Sequence, residues 1–437
     1  MDPTWTGIIG LLVLFVLLGM RMPVAIVMML VGFFGIAYLN SWDAALSTLA
    51  DEAWVITSNY EFIVIPLFIL MGNFASISGM SRDLYGAAYS WFGHWRGGLA
   101  SATIAACAGF AALSGSSVAS AVTMGRVALP EMKRYKYSDR LATGAIAAGG
   151  TLGILIPPST GFIIYAILVE ESIGRLFLAG VLPGLLLTVL FMISIAIVTK
   201  INPKLGPPGE KSTMAQRGQS LVQAGPMLLI VLITIGGIYG GVFTPTEAAA
   251  VGAMLAFLLA LFRRRVNQKS TSRVLLQTIR TTCLAFFILI GAHIFNPFMA
   301  LTDIPSDLAS LLLDANLPRT AIMLIIMLAY IVLGTFLEGF AMLVLTLPII
   351  HPLIVELGYD PIWFGVVIVI VIEMGLISPP VGVNVFVVKG IAEDVPLREI
   401  FAGIIPFWIA MAVCLVILLA FPEIALFLPD TMIQSFD

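Results

Sequence analysis

Gly153-Ile154-Leu155-Ile156-Pro157-Pro158-Ser159 sits inside an apolar run, and Gly375-Leu376-Ile377-Ser378-Pro379-Pro380-Val381 repeats its pattern further along the chain. The offset from Pro157 to Pro379 is 222 residues. A proline within a helix removes an amide donor and frees a carbonyl one turn earlier. Two in succession predict a break in each helix. The same offset carries Pro23 to Pro245, and the polar turn Ser114–Ser117 to Phe336–Gly339. The chain therefore reads as two units. Each holds a hairpin with a polar tip, followed by a helix broken at a Pro-Pro.

The surroundings of these breaks set the solvent. Hydrophobic residues make up 60% of the 437 and charged ones 11%, and the mean hydropathy is +1.05. Soluble domains carry about 25% charged residues, so water cannot be the solvent for most of this chain. A helix needs about 20 apolar residues to span a bilayer, and the sequence holds many such runs. The expected class is an all-α polytopic membrane protein with the lipid bilayer as its solvent. Soluble enzymes and nucleic-acid binders are excluded. Cys107, Cys283 and Cys414 lie far apart in apolar stretches and read as buried small hydrophobes. The first residues carry no basic segment or small-residue cleavage site, so the first apolar run reads as a retained span.

The 22 Lys and Arg residues fix a topology. Nineteen fall on one side if the pair 99–113/117–130 is a re-entrant hairpin from the basic face. The pair 320–336/340–354 must then enter from the opposite face, flanked by Asp303, Asp307, Asp314, Glu356 and Asp360. Basic loops stay cytoplasmic, so the two units are inverted and both termini are expected outside. The loop 200–218 joins the halves. Segments 81–93 and 268–281 are too polar to cross, and both read as interfacial arms linking a fixed scaffold to a moving hairpin unit.

Broken elements at matching places in two halves point to a transporter's central site. Freed carbonyls suit a hard cation such as Na+. Half-helix N-termini near Pro157 and Pro379 suit a substrate carboxylate. The stretch Ser114-Gly115-Ser116-Ser117 fits a hairpin tip, with Ser159 and Thr160 opening the helix beyond the first break. Ser117, Ser159, Thr160, Glu338, Asn384 and Arg126 are therefore the candidate substrate contacts. Glu338, in the second tip, has three open roles: cation ligand, proton carrier or helix cap. Asn384 could hold a carboxylate or an interhelical hydrogen bond. Arg126 could pair with an organic anion or snorkel toward Glu131. Glu373 reads as packed on a polar partner, and Thr244-Pro245-Thr246-Glu247 as a capping signature. The tryptophans read largely as interfacial anchors. The three histidines form no metal set.

The motifs Leu113–Ala119, Gly153–Ser159, Gly240–Ala250, Gly334–Glu338 and Gly375–Gly382 together resemble the large membrane subunit of TRAP transporters, the tripartite ATP-independent periplasmic family. The resemblance implies Na+-driven import of an organic acid by an elevator mechanism. It implies two partners, a small four-helix membrane subunit and a periplasmic substrate-binding protein. It places the protein in the bacterial inner membrane. It implies Na+ sites, largely main-chain, at Ser114, Ser116, Gly153 and Pro157 in one half. In the other half they fall at Gly334, Thr335, Ser378 and Pro379, where Ser378 replaces a frequent threonine.

The regions expected from it are as follows. Scaffold spans and a first arm fill 1–98, and the first hairpin and broken helix fill 99–169. Scaffold, joining loop and second arm fill 170–281. The second hairpin and broken helix, with the span before them, fill 282–391, and a terminal span fills 392–437. An intramembrane serine protease using Ser114 or Ser116 is disfavoured, because no His is near either in sequence. A binding-protein-independent Na+/dicarboxylate carrier of related elevator architecture is the alternative.

Overall fold

The computed structural model describes residues 2–314 and 317–432. Met1, residues 315–316 and residues 433–437, including the ends of both expected terminal regions, lie outside that set. The described chain is helical throughout, with no strand. The first unit runs α1 (Pro3–Gly19), α2 (Val24–Leu39), α3 (Trp42–Ser58), α4 (Val64–Ser78) and α5 (Met80–Phe92). It continues with a hairpin, α6 (Gly98–Ser114) and α7 (Ser117–Arg134). A broken helix follows, α8 (Asp139–Leu155) and α9 (Thr160–Val169), then α10 (Ile173–Ile201).

The second unit runs α11 (Met214–Tyr239), α12 (Pro245–Phe262), α13 (Gln268–Ala300) and α14 (Ile304–Asp314). Its hairpin is α15 (Arg319–Gly334) and α16 (Gly339–Glu356). Its broken helix is α17 (Pro361–Leu376) and α18 (Val383–Ile391), followed by α19 (Leu397–Ala420) and α20 (Glu423–Asp430). Six of these helices, and the stretch Tyr60–Ser78 that ends in α4, are long and apolar enough to cross a membrane. The α8–α9 pair adds another if its 40° bend lies within one span. Large apolar side chains such as Leu228, Leu229 and Leu232 stand exposed, as a bilayer-facing surface requires.

The 222-residue offset runs through the whole architecture. It takes Ser117, where α7 begins, to Gly339, where α16 begins, and Asp139, opening α8, to Pro361, opening α17. The packing is reciprocal as well. Helix α2 packs on α13 while α12 packs on α4, and α9 packs on α16 while α18 packs on α7. Each unit thus lends its broken helix to the other unit's hairpin, the pattern of an internal twofold. Glycines permit the closest of these approaches. A Cβ on Gly32 of α2 would sit 2.6 Å from the Ile294 carbonyl, and one on Gly291 of α13 would sit 2.7 Å from that of Ala25. Close packing of small residues holds helices together where no water is available to drive association.

The structure refines one sequence expectation. Residues 268–281 are not a separate helix: they are the first half of the unbroken 33-residue α13. Under the offset their counterpart is α3, an amphipathic helix with Asp43, Asp51 and Glu52 that no apolar run had marked. The counterpart of the first arm, α5, is instead α14. One smaller expectation fails, and one tryptophan departs from the rest. Cys283 is exposed on α13, unlike the buried Cys107 and Cys414. Trp363 is buried and donates its indole N–H to the Leu418 carbonyl at 3.0 Å, a core role and not an interfacial one. The cap at α12 is as expected: Thr244 and Glu247 bond each other's backbone amides at 3.3 and 2.9 Å.

Candidate functional site: two hairpin tips and two helix breaks

The first tip is a sharp turn between α6 and α7. Gly115 closes α6 in the left-handed region, φ +58°, where a side chain would be strained. The Ser116 hydroxyl caps α7 by accepting from the Ala119 amide at 3.4 Å, and the Ser114 and Ser120 hydroxyls pair at 2.7 Å. The first break docks onto this turn. The Thr160 amide and hydroxyl both donate to the Gly115 carbonyl, at 3.3 and 2.7 Å. The Ser159 hydroxyl caps α9 through the Phe162 amide. From the other side Gly153 presses on the tip: a Cβ there would lie 2.4 Å from the Ser116 carbonyl. Ser114, Ser116, Gly153, Ser159 and Thr160 therefore converge, although the sequence separates them by up to 46 residues.

The second tip is built from different chemistry. Gly334 and Gly375 face each other so closely that a Cβ on Gly375 would be 2.7 Å from the Gly334 Cα. The Thr335 hydroxyl turns back to the Val332 carbonyl, and Glu338 caps α16 by accepting from the Ala341 amide at 3.4 Å. Of the three open roles for Glu338, the cap is the one the geometry displays. The Ser378 hydroxyl donates to the Met374 carbonyl at 2.6 Å and accepts from the Trp408 indole N–H at 3.0 Å. Asn384 is fully buried on α18 and its amide donates to Glu373, so it makes the interhelical bond.

The first tip adjoins a sizeable cavity, which Phe340 at the start of α16 also lines. A space of ≈ 410 Å³ opens beside Ser114, Ser116 and Thr160 and is walled by Arg126, Arg273 and Gln277. It shares Ser76, Thr123 and Arg126 with a second space of ≈ 700 Å³ that reaches Arg82, Arg263 and Arg265. The two together run from the tip toward the face that carries Arg82, Arg263 and Arg265. Arg126 makes no ion pair with Glu131, whose carboxylate sits 3.9 Å from Arg134 instead. Sequence reading singled out Arg126 but missed Arg273 and Gln277, since nothing local marks a polar face of a long helix as cavity-lining.

An inverted repeat with paired re-entrant hairpins, helices broken at prolines and an arginine-walled cavity beside the first tip defines a membrane transporter permease. The chain belongs to the family described as the DctM component of tripartite ATP-independent periplasmic transporters, whose model matches residues 11–424. It is 37% identical to the C4-dicarboxylate TRAP transporter large permease protein DctM of Pseudomonas aeruginosa, covering 90% of this chain and 91% of that protein. It is 32% identical to the sialic acid TRAP transporter large permease SiaM of Vibrio cholerae, over 85% and 87% of the two chains. It is also 32% identical to the isethionate TRAP transporter permease DctMQ of Oleidesulfovibrio alaskensis, over 96% of this chain and 65% of that one. The fold resembles the crystal structure of the Alcanivorax borkumensis YdaH transporter, with a TM-score of 0.61 at 12% identity, over 87% and 89% of the chains.

Proposed function

We propose that this permease imports an organic acid across the bacterial inner membrane, driven by a Na+ gradient and supplied by a periplasmic substrate-binding protein. A small membrane subunit completes the scaffold. The observation that carries the reading is the convergence of the first tip, the first break and an arginine-walled cavity. The α7 and α9 N-termini lie at the cavity's inner end, and the positive ends of their dipoles favour an anion there. Thr160 lines the cavity at the α9 N-terminus while Ser117 and Ser159 are buried behind it, and Arg126 with Arg273 offers charge nearer the basic face. The relatives named for C4-dicarboxylate, sialic acid and isethionate share an anionic group in their cargo, which matches such a cavity.

Na+ would sit at the two tips. Main-chain oxygens of Ser114, Ser116, Gly153 and Pro157 would hold one ion. Those of Gly334, Thr335, Ser378 and Pro379 would hold another. The hydroxyls of Ser116, Thr335 and Ser378 are engaged locally, so carbonyls are the ligands favoured. In the elevator scheme, the two hairpins and broken helices move together against the remaining helices. The cavities running toward the basic face then mark an inward-open state.

The test is uptake into proteoliposomes holding this chain and its small subunit, across an imposed Na+ gradient, with and without the binding protein. Uptake requiring both is the expected result. Uptake needing Na+ alone would indicate an independent carrier. Uptake unchanged when choline replaces Na+ would defeat the coupling.

A further inference from the structure

Glu373 lies on α17 before the second break and is 1% exposed, while Asn384 on α18 is 0% exposed. The Asn384 Nδ2 donates to Glu373 Oε2 at 3.4 Å, a long bond. Glu373 Oε1 and Asn384 Oδ1 have no partner at all. Ser117, at the start of α7, adjoins the carboxylate from the other unit. Among the described residues none of the ion pairs includes Glu373. The one charged side chain whose field reaches it is Glu338, which has the same sign. A buried carboxylate without a counter-charge is strongly penalised. Two acceptor oxygens left without donors add to that penalty. What the arrangement lacks is a positive charge.

We propose that Glu373, Asn384 and Ser117 bind one monovalent cation, Na+ or a proton, where the two units meet. The cation satisfies both orphan oxygens and cancels the buried charge. This site is made of side-chain oxygens, in contrast to the main-chain sites assigned to the tips. It also joins the helix pair of the second break to the first helix of the opposite hairpin, so its occupancy holds parts of both units in one arrangement. Its role in transport rests on the cation-driven reading above, but its existence as a binding site does not.

The full chain, purified with its small membrane subunit, is assayed for radiolabelled Na+ bound at saturation. Its uptake is measured against pH at saturating Na+. The variant E373Q keeps the shape of the side chain and removes its charge. If Na+ is the occupant, E373Q binds one Na+ fewer per chain. If a proton is the occupant, E373Q binds as many Na+ as the wild type but loses the pH dependence of uptake. N384D adds a carboxylate at the same position and tightens cation binding about tenfold, as a second charge in a poorly screened site should. Should E373Q not fold, N384D decides alone. Variants that match the wild type in bound Na+ and in pH profile overturn the proposal. Wild-type uptake indifferent to Na+ would instead overturn the coupled-import reading and leave the binding result interpretable.

Discussion

The two hairpin tips occupy equivalent positions in the repeat, yet the first borders a cavity while the second presents Phe336, Glu338 and Pro379 at the surface with Ser378 buried behind them. At the first, Ser114, Ser116 and Thr160 border a cavity of ≈ 410 Å³. At the second, Ser378 is shut between Met374 and the Trp408 indole, and Glu338 is spent on capping α16. The backbone plan is shared, because Pro-Pro breaks and glycine contacts follow the 222-residue offset. The side chains differ, because inversion turns the two tips toward opposite faces. A shared plan with divergent lining suits a pair of similar ion sites beside a single substrate site.

The sharpest way to break this comparison is to add one methyl group at each tip. Gly153→Ala would place a carbon 2.4 Å from the Ser116 carbonyl, and Gly375→Ala one 2.7 Å from the Gly334 Cα. Neither neighbour is a flexible side-chain end, so backbone must move. Overpacking of this kind costs about 1–3 kcal/mol, and here it falls on the proposed ion ligands. Both variants should lose tenfold or more of Na+-driven uptake by that measure. Gly390→Ala on α18 has open space around it and should match the wild type. Loss at one tip alone would show that only that tip works as a site.

Next in size is the arginine wall, which belongs to the first tip only. R126Q and R273Q should each raise the substrate concentration for half-maximal uptake by about tenfold, the scale of one charge contact. The maximal rate should change less. R126K should recover most of the affinity if charge is what matters. The same substitutions should leave the Na+ concentration for half-maximal uptake unaltered. A shift in Na+ dependence instead would mean that the cavity and the ion site are not separate.

These expectations show what the sequence could and could not say. The repeat, the hairpins and the breaks were legible because proline and glycine mark backbone events that no side-chain context can hide. Thr244 and Glu247 were legible for the same reason, since a cap is a local structure. The join between α3 and α4 in one unit, against the unbroken α13 in the other, was not. Both α3 and the first half of α13 are polar, and whether a helix continues depends on packing, not on hydropathy. Residues 268–281 therefore read as an element apart from the span that they in fact open. Arg273 and the orphan oxygens of Glu373 and Asn384 depend on neighbours from other helices, which periodicity does not reveal.

A smaller effect separates the hydroxyls at the two breaks. Thr160→Val removes the bond from its hydroxyl to the Gly115 carbonyl, and Ser378→Ala leaves the Trp408 N–H without an acceptor. A lost hydrogen bond costs about 1 kcal/mol, more when a buried partner is stranded. Thr160→Val should change substrate affinity several-fold, because it borders the cavity. Ser378→Ala should act mainly on the Na+ dependence. If the two variants gave the same phenotype, the division between the two tips would have no functional meaning.

The smallest effect concerns how the first tip's hairpin is tied to the other unit. At the base of α7, Lys133 meets Asp394, which follows α18, at 2.6 Å. The Lys133 ammonium holds the Asp394 carboxyl below its usual range. A carboxyl with a depressed pKa contributes stability above its unfolded-state value and loses it as pH falls through the folded one. Both groups are largely exposed, so solvent and salt screen the pair. Asp394→Asn should thus lower the thermal midpoint only slightly at neutral pH and low salt. The difference from the wild type should shrink in molar salt, and vanish once the pH is low enough to protonate the native carboxyl. The second unit has no described ion pair at the matching place. Any effect on uptake should therefore appear as a slower rate with unchanged affinities, since the pair joins α7 to the segment after α18 and touches neither tip. A change in Na+ affinity would show instead that the bases of these helices set the geometry of the tips.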